Sequence, residues 1–244
     1  MDYEVVENDK LFVHKTEMTC DNDFCNIPDP LPKKSHTMLF VGKSGSGKTS
    51  LMVSLLASRK KNNNLQSYKK QFNHVIICSP SLSTLKNNIF KDLSPAKKFT
   101  DFDEDLLDFV DDFTQETAEL EETTLLILDD VGSQLRKKQS LEKFLVSLLQ
   151  NRRHRYLSCW ILVQKFRDLP TGVRNNSTHM ALFRPVNSRE TTAIHEELLP
   201  IKKDKLNDFM DFVFDKKYNF LFVDMSLQAA SGFKFYKNFD EIIM

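Results

Sequence analysis

The stretch "TMLFVGKSGSGKTSLMVSLLA", residues 37–57, decides how the rest of the chain is read. A short strand-like run, "TMLFV", enters a glycine-rich turn, and the turn opens into a segment with helical character. From Gly42 to Gly47, Lys48 and Thr49 the spacing is G-x-x-x-x-G-K-[ST]. Glycines let a backbone turn tightly, so that successive N–H groups converge on one point. The positive end of the following helix dipole adds to that field, and a phosphate is the natural occupant. The predicted phosphate loop comprises Gly42, Lys43, Ser44, Gly45, Ser46, Gly47, Lys48, Thr49 and Ser50. Lys48 is placed to reach the β- and γ-phosphates, and the Thr49 hydroxyl to hold Mg²⁺. A chance match in a surface turn would not require a strand before it and a helix after it. The expected ligand is a nucleoside triphosphate with Mg²⁺.

Outward from this stretch, apolar runs with strand character recur at 74–79, 124–129, 158–164 and 179–184. Helical segments stand at about 48–59, 103–120, 139–152 and 188–198. Nearly all-apolar strands alternating with helices predict a parallel sheet buried on both faces. "NNNLQSYKKQ" reads as a polar loop, and "YNFLFVDM" and "FKFYKNF" as a terminal pair of strands. The first thirty-five residues combine a strand-like "LFVH" with a proline-rich lead-in, "IPDPLPKK". The expected organisation is an N-terminal extension (1–35), a P-loop ATPase core (36–200), and a helix with a strand pair (201–244) extending the same domain. The fold class is α/β, a P-loop NTPase with a mostly parallel sheet sandwiched by helices.

"TTLLILDD", residues 123–130, is the second strong signal. An apolar run ends in carboxylates where the strand emerges at the carboxyl edge of the sheet, the edge at which such folds bind ligands. Asp129 is placed to complete the Mg²⁺ site, and Asp130 to polarise an attacking water. A second acid directly after the first favours hydrolysis over simple binding. "SCWILVQ" ends at Gln164, a polar amide at a strand tip, suited to sensing the γ-phosphate or positioning water. "QNRRHRYLS" (150–158) supplies cations between a helix and that strand. These can serve a neighbouring site or merely complement a helix C-terminus.

The 244 residues carry 34 Lys and Arg against 34 Asp and Glu, so nucleic-acid binding must rest on a local patch rather than on bulk charge. Lys137 and Lys138 are candidates for such a patch. The acidic stretch 101–122 places Leu106, Phe109, Val110 and Phe113 at helical spacing, which reads as an amphipathic helix with a solvated acidic face. Cys20 and Cys25 lack a second pair at zinc-like spacing, while Cys78 and Cys159 lie in apolar runs. A reducing, intracellular setting and a soluble chain without a membrane segment are expected.

"FVGKSGSGKTS", "LLILDDVGSQL", "RRHRYLSCWILVQ" and "NNSTHMALFRP" occur in this order at these intervals. Together they resemble the genome-packaging ATPases of the FtsK–HerA superfamily, found in poxviruses, other large DNA viruses and virophages. The resemblance runs from about residue 36 to 200. It implies a homo-oligomeric ring, pentamer or hexamer, that threads double-stranded DNA into a preformed capsid. Capsid portal or vertex proteins would be partners, in the virion or the viral factory of the host cytoplasm. Residue by residue, it implies a phosphate loop at Gly42, Gly45, Gly47, Lys48 and Thr49, acids at Asp129 and Asp130, and a sensor amide at Gln164. Its Arg-His element falls on Arg153 and His154, making Arg153 the candidate arginine finger across a subunit boundary. Many superfamily members have Glu at the position of Asp130.

Three other functions compete. A P-loop kinase for a nucleoside or other small molecule would want an arginine-rich lid and no water-positioning acid. A guanine-nucleotide switch would want an Asn-Lys-x-Asp element, which the sequence lacks. A DNA helicase of related fold would separate strands rather than travel on duplex.

Overall fold

A computed structural model describes residues 24–25, 27–57, 68, 70–81, 89–226 and 232–243. The strand-like "LFVH", Cys20 and most of the polar loop at 62–71 lie outside these residues. Among the described residues the strands are β1 (Thr37–Val41), β2 (His74–Cys78), β3 (Lys98–Phe99), β4 (Thr124–Asp129), β5 (Leu157–Val163), β6 (His179–Phe183), β7 (Phe220–Asp224), β8 (Lys234–Lys237) and β9 (Asp240–Ile242). The helices are α1 (Lys48–Ala57), α2 (Glu104–Glu119), α3 (Gly132–Lys137), α4 (Gln139–Asn151), α5 (Thr171–Asn175), α6 (Ser188–Leu198) and α7 (Leu206–Val213).

The strands form one sheet in the order β3-β2-β4-β5-β1-β6-β7-β8-β9. From β3 to β6 every pairing is parallel, and from β6 to β9 every pairing is antiparallel. The expected α/β fold is observed, and the mixed sheet adds a terminal strand, β9, to the expected pair. β5 lies between β1 and β4, so the strand leading into Gln164 is flanked by the strand entering the phosphate loop and the strand ending in Asp129. The central strands are apolar along their length because both faces are covered. Leu125 and Ile127 of β4 belong to one core, Leu126 and Leu128 to the other.

The two faces are closed differently. One is packed by α2, α4, α6 and α7. Asp103 caps α2 by accepting from the Leu106 N–H at 3.0 Å, and Glu104 and Asp105 add negative charge at the positive dipole end. Leu106 and Val110 are fully buried, with Phe109 and Phe113 packed against that core, so the acidic helix is amphipathic as its spacing predicts. The other face is closed by α1 together with Phe24, Ile27 and Leu31, which pack with Met38, Phe40 and Trp160. The proline-rich lead-in is therefore part of the core. Cys78 and Cys159 are buried and Cys25 is exposed.

Candidate functional site

The phosphate loop leaves β1 at Val41 and re-enters regular structure at Lys48. Gly42 N–H donates to the Val163 carbonyl at 3.1 Å, which ties the start of the loop to the end of β5. A Cβ on Gly42 would stand 2.7 Å from both Phe183 Cβ and Ser46 Oγ, so only glycine fits. Gly47 has φ +111°, a conformation that L side chains rarely adopt, and Phe183 and Tyr218 crowd it. Lys48 Nζ donates to the carbonyls of Gly42 and Lys43, the latter at 3.1 Å, which holds its ammonium along the loop. Burial lowers the Lys48 pKa, while Asp129 and Asp130 pull it back up.

The two acids at the end of β4 point toward different neighbours. Asp129 Oδ2 accepts from Ser79 Oγ at 2.9 Å, next to β2. Asp130 leaves the strand with φ 59°, its N–H donating to the Leu162 carbonyl at 3.0 Å. That left-handed turn swings the Asp130 side chain toward β5, where Gln164 Nε2 donates to Oδ1 at 3.1 Å and Oδ2 at 3.3 Å. Burial raises the Asp129 pKa and Asp130 adds to the shift, against the Ser79 hydroxyl and Lys48. A carboxylate with its charge under pressure is a carboxylate that gains from a cation.

Ser44, Gly45, Gly47, Lys48, Thr49, Ser50, Asp129, Asp130 and Gln164 line one cleft of about 630 Å³ at the carboxyl edge of the sheet. Thr49 and Asp129 offer hard oxygen donors in that cleft. Among the described residues, no group of three or more His, Cys, Asp and Glu side chains forms a metal cage. A Mg²⁺ held through one or two side-chain oxygens and the ligand's phosphates needs none, so the donor set fits that ion.

Arg153 is not part of this cleft. It precedes β5, while Gln164 follows it, so roughly 20 Å of strand separates the two. Arg153 lines instead a cavity of about 730 Å³ at the opposite edge of the sheet, with His36, Thr178 and His179. The basic run 136–138 is partly neutralised: Arg136 pairs with Asp168 at 3.1 Å and Lys138 with Glu104 at 3.2 Å. Sequence reasoning gave no role to Ser79, which orients Asp129. It also passed over Glu190, a buried carboxylate whose Oε2 accepts from the N–H of Phe166 at 2.8 Å and of Arg167 at 3.4 Å, fixing the chain just after Gln164. Asn187 caps α6 by accepting from the Glu190 N–H, and N-x-x-E at 187–190 is a legible capping pattern.

The sequence model of the Poxvirus A32 protein family matches residues 27–232. The chain belongs to that family. No curated protein sequence matches the A32-family chain. Among solved structures it is similar to the genome packaging NTPase B204 from Sulfolobus turreted icosahedral virus 2. The complex with ATP-gammaS has a TM-score of 0.53 at 17% identity, over 84% of this chain and 98% of that one. The complex with sulfate has a TM-score of 0.57 at 19% identity, over 83% and 96%. EssC (ATPases 2 and 3) from Geobacillus thermodenitrificans has a TM-score of 0.51 at 12% identity, over 84% of this chain and 39% of that one. At these identities the likeness is one of fold, that of a P-loop NTPase.

Proposed function

We propose that this chain is an ATP-driven motor that moves double-stranded viral DNA into a preformed capsid. One observation carries the reading. Lys48, Thr49, Asp129 and the Asp130–Gln164 pair meet in one cleft of an A32-family chain, and its fold is that of a viral genome packaging NTPase. The loop N–H groups and Lys48 hold the β- and γ-phosphates, while Thr49 and Asp129 would hold Mg²⁺. The ion, when bound, neutralises charge on the phosphate oxygens. Gln164 fixes the Asp130 carboxylate, and Asp130 orients the water for in-line attack on the γ-phosphorus. As the new P–O bond forms, the bond to the β-phosphate oxygen breaks, and ADP and phosphate leave.

Arg153 lies too far from its own phosphates to act on them. A head-to-tail ring joins two different surfaces of neighbouring subunits, so an arginine remote from its own phosphates can serve the site of the next subunit. That arrangement supports Arg153 as the finger acting in trans, and a pentameric or hexameric ring as the working unit. Duplex DNA and capsid portal or vertex proteins are the partners, in the virion or viral factory.

The test is the ATPase rate of the assembled chain with and without duplex DNA of several sequences. Stimulation by any duplex, weakening steeply with salt, is expected of a motor that tracks phosphates. Phosphoryl transfer to an added nucleoside, with no response to duplex, would replace the motor by a kinase.

A further inference from the structure

The cleft has an end that the phosphate chemistry does not use. Asp129, Asp130 and Gln164 stand on the β4–β5 side of the phosphate loop, and Phe183, Tyr218 and Phe220 on the β6–β7 side. If the γ-phosphate lies at Asp130, the nucleoside must extend toward those aromatic residues. The antiparallel turn of the sheet brings them there. β7 runs against β6, so its first residue, Phe220, pairs with the last residue of β6, Phe183. Their rings are 5.5 Å apart, and a Cβ on Gly47 would lie 3.3 Å from Phe183 and 3.5 Å from Tyr218.

Tyr218 is unusual on two counts. Its φ is 73°, a strained conformation for a bulky aromatic residue, and it is 56% exposed. Neither property helps the core, yet Tyr218 lines the cleft. Lys217 Nζ stands 4.8 Å over its ring and steadies it. Around the aromatic groups, the other cleft side chains on the helix side are Ser50, Leu51 and Ser54, and the Ser54 hydroxyl already donates to the Ser50 carbonyl at 2.8 Å. Among the residues that line the cleft, no amide or carboxylate stands at this end to read a base edge.

We propose that Tyr218, with the Phe183–Phe220 pair lining the same cleft, forms a nucleobase seat that grips the base by stacking and does not read its hydrogen-bonding edge. This rests on the phosphate-loop reading above. A seat of this kind holds any nucleoside triphosphate, with purines ahead of pyrimidines because they offer more π-surface.

The experiment measures binding of ATP, GTP and inorganic tripolyphosphate, each with Mg²⁺, to the full chain by calorimetry. Tyr218→Ala is expected to weaken ATP and GTP alike by about tenfold, the scale of one lost base–aromatic stack, and to leave tripolyphosphate unchanged. Tyr218→Phe should bind all three as wild type does. Unchanged ATP binding in Tyr218→Ala overturns the seat. Equal weakening of ATP and tripolyphosphate also overturns it, because the ring would then only be shaping the loop at Gly47. A hundredfold preference of the wild type for ATP over GTP overturns stacking without readout. Lys48→Ala separates the two readings: it should weaken all three ligands, and if it binds tripolyphosphate as wild type does, the phosphate-loop assignment itself fails.

Discussion

Lowering the pH from 7 to 5 should remove a large part of the folding free energy through two buried histidines at the amino-terminal edge of the sheet. His36 precedes β1, and His179 begins β6, beside the strand that carries the phosphate loop. His36 Nδ1 lies 2.8 Å from the Lys34 carbonyl, and Trp160 Nε1–H donates to Nε2 at 2.8 Å. Only the neutral ring with its proton on Nδ1 satisfies both bonds, and a second proton would meet the indole N–H head on. Burial, with His179 and Arg152 nearby, lowers the His36 pKa to about 3. Burial and Arg152 lower that of His179 to about 3 as well, although Asp224 stands 3.3 Å from its Nε2. The folded-state value lies below the unfolded value of 6.5, so the unfolded chain takes up protons that the fold refuses. Their contribution is present above pH 6.5 and is lost as the pH falls toward 3. Between pH 7 and 5 the linkage is about 2 kcal/mol per histidine, or about 4 kcal/mol for the pair. That is a substantial share of the 5–15 kcal/mol typical of a domain. Urea unfolding at both pH values, in wild type and in His36→Gln/His179→Gln, measures it. The wild type should lose about 4 kcal/mol more than the double variant; equal losses would refute the reasoning.

Lys48→Ala should abolish hydrolysis while leaving the far-UV circular dichroism unchanged, and wild-type turnover would remove Lys48 from the chemistry. Asp130→Asn keeps size and loses charge, so calorimetry should show ATP still bound while turnover falls by orders of magnitude. Because burial raises the Asp129 pKa, the acid limb of kcat/KM should lie above the ordinary aspartate range, with activity recovering as pH rises through it; a limb at or below that range would contradict the assignment. Arg153→Ala should bind ATP and assemble yet lose about 10³–10⁵ in rate. Rings mixed from Arg153→Ala and Lys48→Ala subunits, verified by fluorescence transfer, should regain activity, because some boundaries pair an intact ATP site with an intact arginine. No rescue, together with a linear loss when Arg153→Ala is titrated into wild type, would leave Arg153 a helix-end cation.

The sequence made the central strands legible because burial on both faces leaves them few polar positions. Leu125 to Leu128 and Leu157 to Val163 are apolar or small throughout, and the acids and the amide mark where they surface. α2 was legible through the spacing of Leu106, Phe109, Val110 and Phe113. α3 was not, because six residues opening with glycine carry little periodicity, and the ion pair from Arg136 to Asp168 is tertiary. The reversal at β7 was equally hidden, since pairing direction leaves no trace in the strand's own residues. Ser79 and Tyr218 escaped notice for that reason. A serine at a strand end is unremarked until β2 lies beside β4, and Tyr218 gains a role only once β7 runs antiparallel to β6. Arg153 is the opposite case, prominent in the sequence and placed by the fold at the far edge of the sheet.

The central claim is that ATP hydrolysis in this cleft drives movement along duplex DNA, and triplex displacement measures it most directly. A third strand bound to one end of a duplex is stripped off by a motor that travels along it. With ATP and Mg²⁺ the assembled chain should displace the third strand without separating the duplex, and the Lys48→Ala and Asp130→Asn forms should not. A chain that assembles on duplex and hydrolyses ATP there, yet leaves the third strand in place, would contradict the account.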